Sequence, residues 1–519
     1  MKIRMAAGCL VLGAVLFAGH LPAWAQSERD VYEQGVRAFQ THDFAGAARA
    51  FSQLAKNDPS APNFYYLAMA EAGEGNVRPA ILDFRKSVQL GNRSTAVRYN
   101  LGLAYAQDHQ PQAAIHQFRE ALKQDPEYLP ARYALGMTLL QSGEAQAAAS
   151  SLEEARKLSP KDPRIWVGLV QARFEAGSPE QASKVAQDAM SSFPDNPRLA
   201  VTLATLCFRY QRIQEARTLL EDANELMPEN SEVKILLAKA SLLAGEPVEA
   251  VAVLRGLPAN AAGDPERLLL MGEARALTGN LNAAAADLSS AVRQSPENPS
   301  YLAAYAWLED LSGKYADAIA TLTKARALAP QTPFIPYRIA VSHYLLGQYG
   351  EAEQACKETL GISPQYSAAY LLLGLIARKQ KKYAAAVEAL KKAVSADSGQ
   401  ALFHRELGVV LLEDRKPEES RKELDTALKL DPSDAGGYFW RAKLLESQGS
   451  PKAAIVDLNA AVALNQNYSK AYSQLARLYT KLGLPQKAAA ALAALKKIKT
   501  PVNPANQQRL LRTLPESSQ

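Results

Sequence analysis

Alanine returns every 34 residues along most of this chain: Ala80, Ala114, Ala148, Ala182, Ala216, Ala250, Ala284, Ala318, Ala352 and Ala386, then Ala454 and Ala488 after Ser420. A strict period of this length means that one supersecondary unit is repeated, because a unit this short cannot bury its apolar face except against its neighbours. Proline keeps the same register at Pro126, Pro160, Pro194, Pro228, Pro296, Pro330, Pro364 and Pro432. A second small-residue series includes Gly102, Gly136, Ala204, Ala238, Gly272, Ala306, Ala340, Gly374, Gly408, Ala442 and Ala476, broken only by Val170. Glycine in a helix costs about 1 kcal/mol relative to alanine, so its recurrence there implies two backbones that must come close.

Between the two small positions lies a breaker, often glycine, as at Gly75, Gly143, Gly177, Gly245, Gly279, Gly313, Gly347, Gly449 and Gly483. Each unit therefore reads as helix, short turn, helix, with the proline stopping entry into the next unit. Abundant Ala, Leu, Glu, Lys and Gln fit this, since their side chains lose little freedom in a helix. Counting places from the first residue of a unit, the small positions are 8 and 20, and large residues at 7 and 24, such as Leu101 with Phe118 or Leu373 with Leu390, fill the neighbouring space.

The set Leu101, Gly102, Tyr105, Ala114, Phe118, Ala121 and Pro126 resembles the signature of the tetratricopeptide repeat family. About fourteen units fit, beginning near Glu28, Ala61 and Thr95 and then every 34 residues to Ser469. The resemblance implies an all-α, right-handed α-solenoid, a superhelix with first helices lining its concave side. Pro258 shortens one second helix and "GLPANAAGDP" follows, so a flexion point is expected there, dividing seven units over residues 26–264 from seven over 265–502. Residues 503–519 are expected to cap the last pair through Leu510, Leu511 and Leu514.

The first 25 residues differ in kind. Lys2 and Arg4 precede an apolar stretch from Met5 to Gly19, and Ala23-Trp24-Ala25 has the A-x-A form of a cleavage site. A cleaved secretory signal, with Gln26 as the new N-terminus, is expected; a retained anchor is the rival, but the stretch is shorter than the roughly 20 residues of a spanning helix. Removing Lys2 and Arg4 lowers the formal charge from +6 to +4, and no Lys/Arg block has the footprint of a nucleic-acid binder. Cys207 and Cys356 fall on inward places of units far apart, so two separate buried thiols are expected.

Chemistry would have to reside in residues that the repeat does not use. No His or Cys pair has metal-ligand spacing, and no nucleophile elbow or phosphate-binding glycine loop occurs. The reading is a non-enzymatic chain with no cofactor and no metal, in which recognition is the remaining function.

In superhelices of the resembled family, places 2, 5, 9, 12 and 13 face the groove. Place 5 carries Tyr32, Tyr65, Tyr99 and Tyr133, and place 9 adds Val36, Met69, Leu103 and Met137, an aromatic and apolar stripe suited to a peptide. Place 5 also touches the next unit, so burial of these tyrosines is the competing reading. Trp307, Tyr337 and Tyr344 form a smaller cluster, and Arg378, Arg405, Lys443 and Arg477 a basic patch fit for an acidic peptide or anionic polymer, unless they only keep the surface soluble. The lysine, asparagine and arginine clamp of chaperone-tail binders is absent: Tyr65 and Met69 stand before Asn100, Pro130 and Ala134 after it. The expectation is an exported, periplasmic scaffold with a protein or peptide partner. An accessory of polysaccharide synthesis or secretion touching a polymer or membrane complex, and an enzyme subunit with an unrecognised site, are the alternatives.

Overall fold

A computed structural model describes residues 26–257 and 263–498. Among them lie 28 helices and no strand, arranged as fourteen antiparallel pairs in chain order, an all-α helical repeat. Contacts group the pairs into two compact units, six pairs up to Pro228 and eight from Glu229. The expected signal, Pro258 and the tail after 502 lie outside the described residues, so the 264/265 division stays an expectation. The helix before Pro258, Pro247–Arg255, has nine residues where the other second helices have 13 or 14.

The small-residue series has a direct geometric cause. A Cβ added to Gly102 would lie 2.6 Å from the Phe118 ring, and at Gly136, Gly272, Gly374 and Gly408 it would lie 2.5–2.8 Å from Leu152, Leu288, Leu390 and Leu424. Place 8 therefore closes on place 24, sixteen residues later, and the side chain at 24 fills the space that the missing Cβ leaves. Burying each of those large side chains stabilises a pair by about 1.5–3 kcal/mol. Gly35 against Phe51, at 2.8 Å, extends the rule to the first pair, two units earlier than the sequence series begins. Where place 8 holds Val170, place 24 holds Ala186, and both are buried.

Each pair turns through one left-handed residue. Nine are glycines with nothing near them, and the other five are His42, His109, Gln211, Lys381 and Arg415 at φ 57–62°. The two histidines thus occupy positions set by backbone conformation, and His116 faces solvent. Both thiols are buried and unpaired in disulfides.

Candidate functional site

Successive first helices come closer together than successive second helices, so the first helices form the inner wall of each unit. The recognition capacity of this wall is set by which of its side chains the junctions between pairs leave accessible.

In the unit ending at Pro228, the tyrosine stripe is largely consumed by packing. Tyr99 is 9% exposed, set against Phe118 at 6.0 Å between centroids and edge-on to Tyr128 at 5.5 Å. The expectation that Tyr99 faces a groove is thereby corrected: place 5 lies under the loop leading into the following pair. Met69 is also buried. Asn100 on Thr95–Gln107 donates from Nδ2 to the Tyr65 hydroxyl at 3.0 Å and lies 3.1 Å from the Met69 sulfur, across the junction. The residue at the clamp place is thus committed to the two side chains that stand where the clamp lysine and asparagine would be. Burial pushes the Tyr65 hydroxyl up to about 12, against the lowering hydrogen bond from Asn100. Tyr32 is half-buried against Phe51 and Tyr66.

Besides Tyr32 and Tyr65, the residues that remain half-exposed along this wall include Val36, Leu103, Tyr133 and Met137, and two more that the stripe did not include, Val167 and Val201. Gln107 and Gln141 are exposed beside them at place 13. Val167 and Val201 continue place 5 after the last tyrosine, and following the place rather than the residue type would have found them. Together they make a line of aliphatic groups with the Gln107 and Gln141 amides beside it, while the same wall places elsewhere carry exposed Arg29, Glu175, Arg198 and Arg209, and the Arg164 guanidinium lies over Tyr133 at 5.9 Å.

The unit from Glu229 has a different wall. Trp307 and Tyr337 are 0% and 2% exposed, so the expected aromatic cluster is core, and only Tyr344, against Tyr349 at 5.8 Å, stays half-buried. Its large rings fill a junction in which the Asp310 carboxylate accepts from Arg338 Nη2 at 2.7 Å and from Ser342 Oγ at 2.8 Å, all three residues buried. Burial raises the Asp310 carboxyl, opposed by the Arg338 charge and both hydrogen bonds.

The basic patch is corrected in part. Arg405 is 2% exposed and bonded to Glu406 at 3.1 Å and to both Asp434 oxygens at 2.8–2.9 Å. Asp434 also caps the helix Ala435–Ser447 by accepting from Gly436 N, and a Cβ at 436 would approach Arg405 Nη1 to 3.1 Å. Arg378 makes a two-pronged contact with Glu413 at 2.7–2.8 Å, a longer one with Glu406, and lies over Trp440 at 5.3 Å. These arginines hold successive pairs together, and their charge is met inside the protein. Lys379, Lys443, Lys470, Arg477 and Lys481 do face solvent; Lys443 lies 4.7 Å from the Trp440 ring centre, and Arg477 is paired with Glu446 at 2.7 Å.

A register rule emerges that sequence reading missed. Place 12 of one unit bonds to place 6 of the next, 28 residues on, in Asp310–Arg338, Arg378–Glu406 and Glu446–Gln474. Among the described residues no three His, Cys, Asp or Glu side chains gather as metal ligands, and no helix is long and apolar enough to cross a membrane.

Two family models, each described as tetratricopeptide repeat, match the chain. One covers residues 32–94, 99–163, 269–333, 337–401 and 405–470, the other 139–207, 173–225 and 208–274. No curated protein matches the sequence. Among solved structures, the APC/C hetero-tetramer Cut9-Hcn1 is 16% identical over 88% of this chain and 97% of that one, with a TM-score of 0.43. Naa15/Naa10 bound to HypK-THB is 14% identical over 91% and 100% of the two chains, with a TM-score of 0.37. MamA protein is 25% identical over 33% of this chain and 94% of its own, with a TM-score of 0.32.

Proposed function

The chain belongs to the tetratricopeptide repeat family, and from that premise we propose a non-enzymatic scaffold of the cell envelope that holds an apolar stretch of a partner protein along its N-terminal inner wall. The observation that carries the reading is the run of half-exposed aliphatic groups, Val36, Leu103, Met137, Val167 and Val201, which the repeat does not need for its own closure. Side chains of this kind recur along a line, and the flanking Gln107 and Gln141 amides are suited to pairing with the backbone groups of an extended peptide. Export rests on the charge, apolar length and A-x-A ending of the first 25 residues.

The test is selection of binders from a displayed peptide library on the whole protein, followed by titration against Leu103→Glu plus Met137→Glu. Loss of binding with an unchanged helical spectrum is expected; equal binding by the variant rejects the wall. For export, expression in a Gram-negative host should yield a periplasmic chain whose mass starts at Gln26, and a cytosolic chain retaining residues 1–25 rejects it. The exposed Lys379, Lys443, Lys470 and Lys481 favour one second reading, contact with an anionic polymer by the C-terminal unit. Retention on an alginate column that survives change of these four lysines to serine rejects that.

A further inference from the structure

The two ends of the array are finished differently. Internal first helices place apolar groups at 3, 7 and 10, such as Ile165, Leu169 and Ala172, and pack them on the preceding pair. In the first pair these places hold Asp30, Gln34 and Arg37, all exposed, so that end is closed by polarity. The last pair has no such finish. Place 24 is fully buried in Phe118, Leu152, Leu288 and Leu424, yet Leu492 at the same place is 47% exposed. Leu495 is half-exposed one turn on, and Ala489 and Ala493 are exposed beside it.

The charge of this pair has one sign, with Lys487, Lys496 and Lys497 on the same helix as Leu492 and Lys470, Arg477 and Lys481 at the wall places of the first helix. The helices Ser469–Lys481 and Pro485–Lys497 carry Lys470, Arg477, Lys481, Lys487, Lys496 and Lys497, every one exposed, and no Asp or Glu. Among the described residues only Arg477 of these meets a carboxylate, Glu446 of the preceding pair.

We infer that the final pair is a docking surface for an amphipathic α-helix of another protein, one whose apolar stripe is flanked by Asp and Glu. The shape comes from the repeat: the surface around place 24 receives a helix in the preceding pairs, so a helix is the element that fits on Leu492. The charge comes from Lys487, Lys496 and Lys497 on the helix of Leu492, which favour a partner of opposite sign by attraction and reject one of like sign. Residues 499–519 add Lys499, Arg509 and Arg512 against Glu516 and so carry the same sign as the surface. A second copy fits no better: its own last pair is equally cationic, and its first pair presents Asp30, Gln34 and Arg37 where apolar groups are needed. Leu492 and the lysines of Pro485–Lys497 lie on the second helix and not at the wall places, so the test does not depend on the reading of the inner wall.

The experiment uses the full chain and two labelled synthetic peptides. Both copy the 197–209 helix, keeping its buried Leu199, Leu203 and Leu206 and replacing the exposed positions, including Arg198 and Arg209, with Glu in one peptide and Lys in the other. Fluorescence anisotropy should show the acidic peptide binding, weakened by about tenfold or more by Leu492→Glu and again by Lys487→Glu with Lys496→Glu, while the basic peptide stays free. Leu492 and the lysines are exposed, so these variants keep the fold, which the helical spectrum checks. Four outcomes overturn the inference. They are absence of acidic-peptide binding, equal binding of both peptides, binding unmoved by Leu492→Glu, and binding only when Leu510, Leu511 and Leu514 are changed to Ser, which makes the chain's own tail the occupant. Adsorption to anionic phospholipid vesicles that is abolished by Leu492→Glu, without peptide binding, assigns the face to a membrane instead.

Discussion

Replacing Gly374 with Val should destabilise the pair 367–396, and adding Leu390→Ala should restore much of what is lost. A Cβ at 374 would stand 2.5 Å from Leu390 Cγ and 2.8 Å from its Cδ2, and valine brings two further methyls into the same space. Overpacking of this kind costs about 3 kcal/mol, the upper end for added methylenes, offset by about 0.3 kcal/mol of better helix propensity. Leu390→Ala alone opens a cavity at a fully buried position and costs about 3 kcal/mol. Independent effects would leave the double variant about 6 kcal/mol down. Val170 and Ala186, however, fill the same two places in another pair, both buried, so the swapped sizes are a packing that this backbone accepts. The double variant is therefore expected within about 2 kcal/mol of the parent, a coupling of about 4 kcal/mol. Repeat arrays do not unfold in one step, so the assay is native-state hydrogen exchange of fragments spanning 367–396 in the intact chain. Additive losses in the double variant would refute the claim that place 8 closes on place 24 by volume alone.

The buried polar groups carry further expected outcomes. Asp310→Ala removes the carboxylate from Arg338 in a site with no exposure and should cost about 3–5 kcal/mol, most of it recovered when Arg338→Met is added, as read by native-state hydrogen exchange of fragments spanning 299–346. Glu71 and Asp83 occupy places 11 and 23, where another pair sets Arg275 against Asp287 at 2.5 Å; burial and the Asp83 carboxylate raise Glu71 from 4.5 to about 8. Folded Glu71 then keeps a proton that the unfolded chain releases, so stability falls as pH rises from about 4.5 through 8, and Glu71→Gln should flatten that slope in thermal melts. Cys207 and Cys356 are fully buried, with thiols pushed up to about 12 by burial, and should resist a maleimide reagent until denaturant is added; fast labelling of the native chain would contradict their placement.

How much of this was legible depended on whether a residue answers to its own unit or to the next one. The pairs, their turns and the closing glycines could be read directly, because places 8 and 24 of one unit settle the matter within about twenty residues. Tyr99 and Arg405 were misjudged because a side chain at place 5 is covered by the approach to the next unit, Tyr128 in one case and Asp434 in the other. A charged group inside a first helix was a usable clue. Arg338, Arg405 and Glu406 interrupt apolar runs, and looking 28 residues back from place 6 would have found Asp310 for the first and Arg378 for the third. The identity of a partner has no such internal counterpart, since the surface that meets it is defined by the groups that the scaffold leaves over.

The closing contact between places 8 and 24 also bears on the order in which this chain acquires structure. It joins residues sixteen apart, and the side-chain bonds between first helices of neighbouring pairs span about one unit, from 28 residues in Asp310–Arg338 to 35 in Asn100–Tyr65. Contacts this local cost little loop entropy, so folding is expected to be fast and to spread from any pair that forms first. A growing chain needs only one further unit beyond a finished pair to cover its apolar face. The early pairs can therefore be complete while the later ones are still being made.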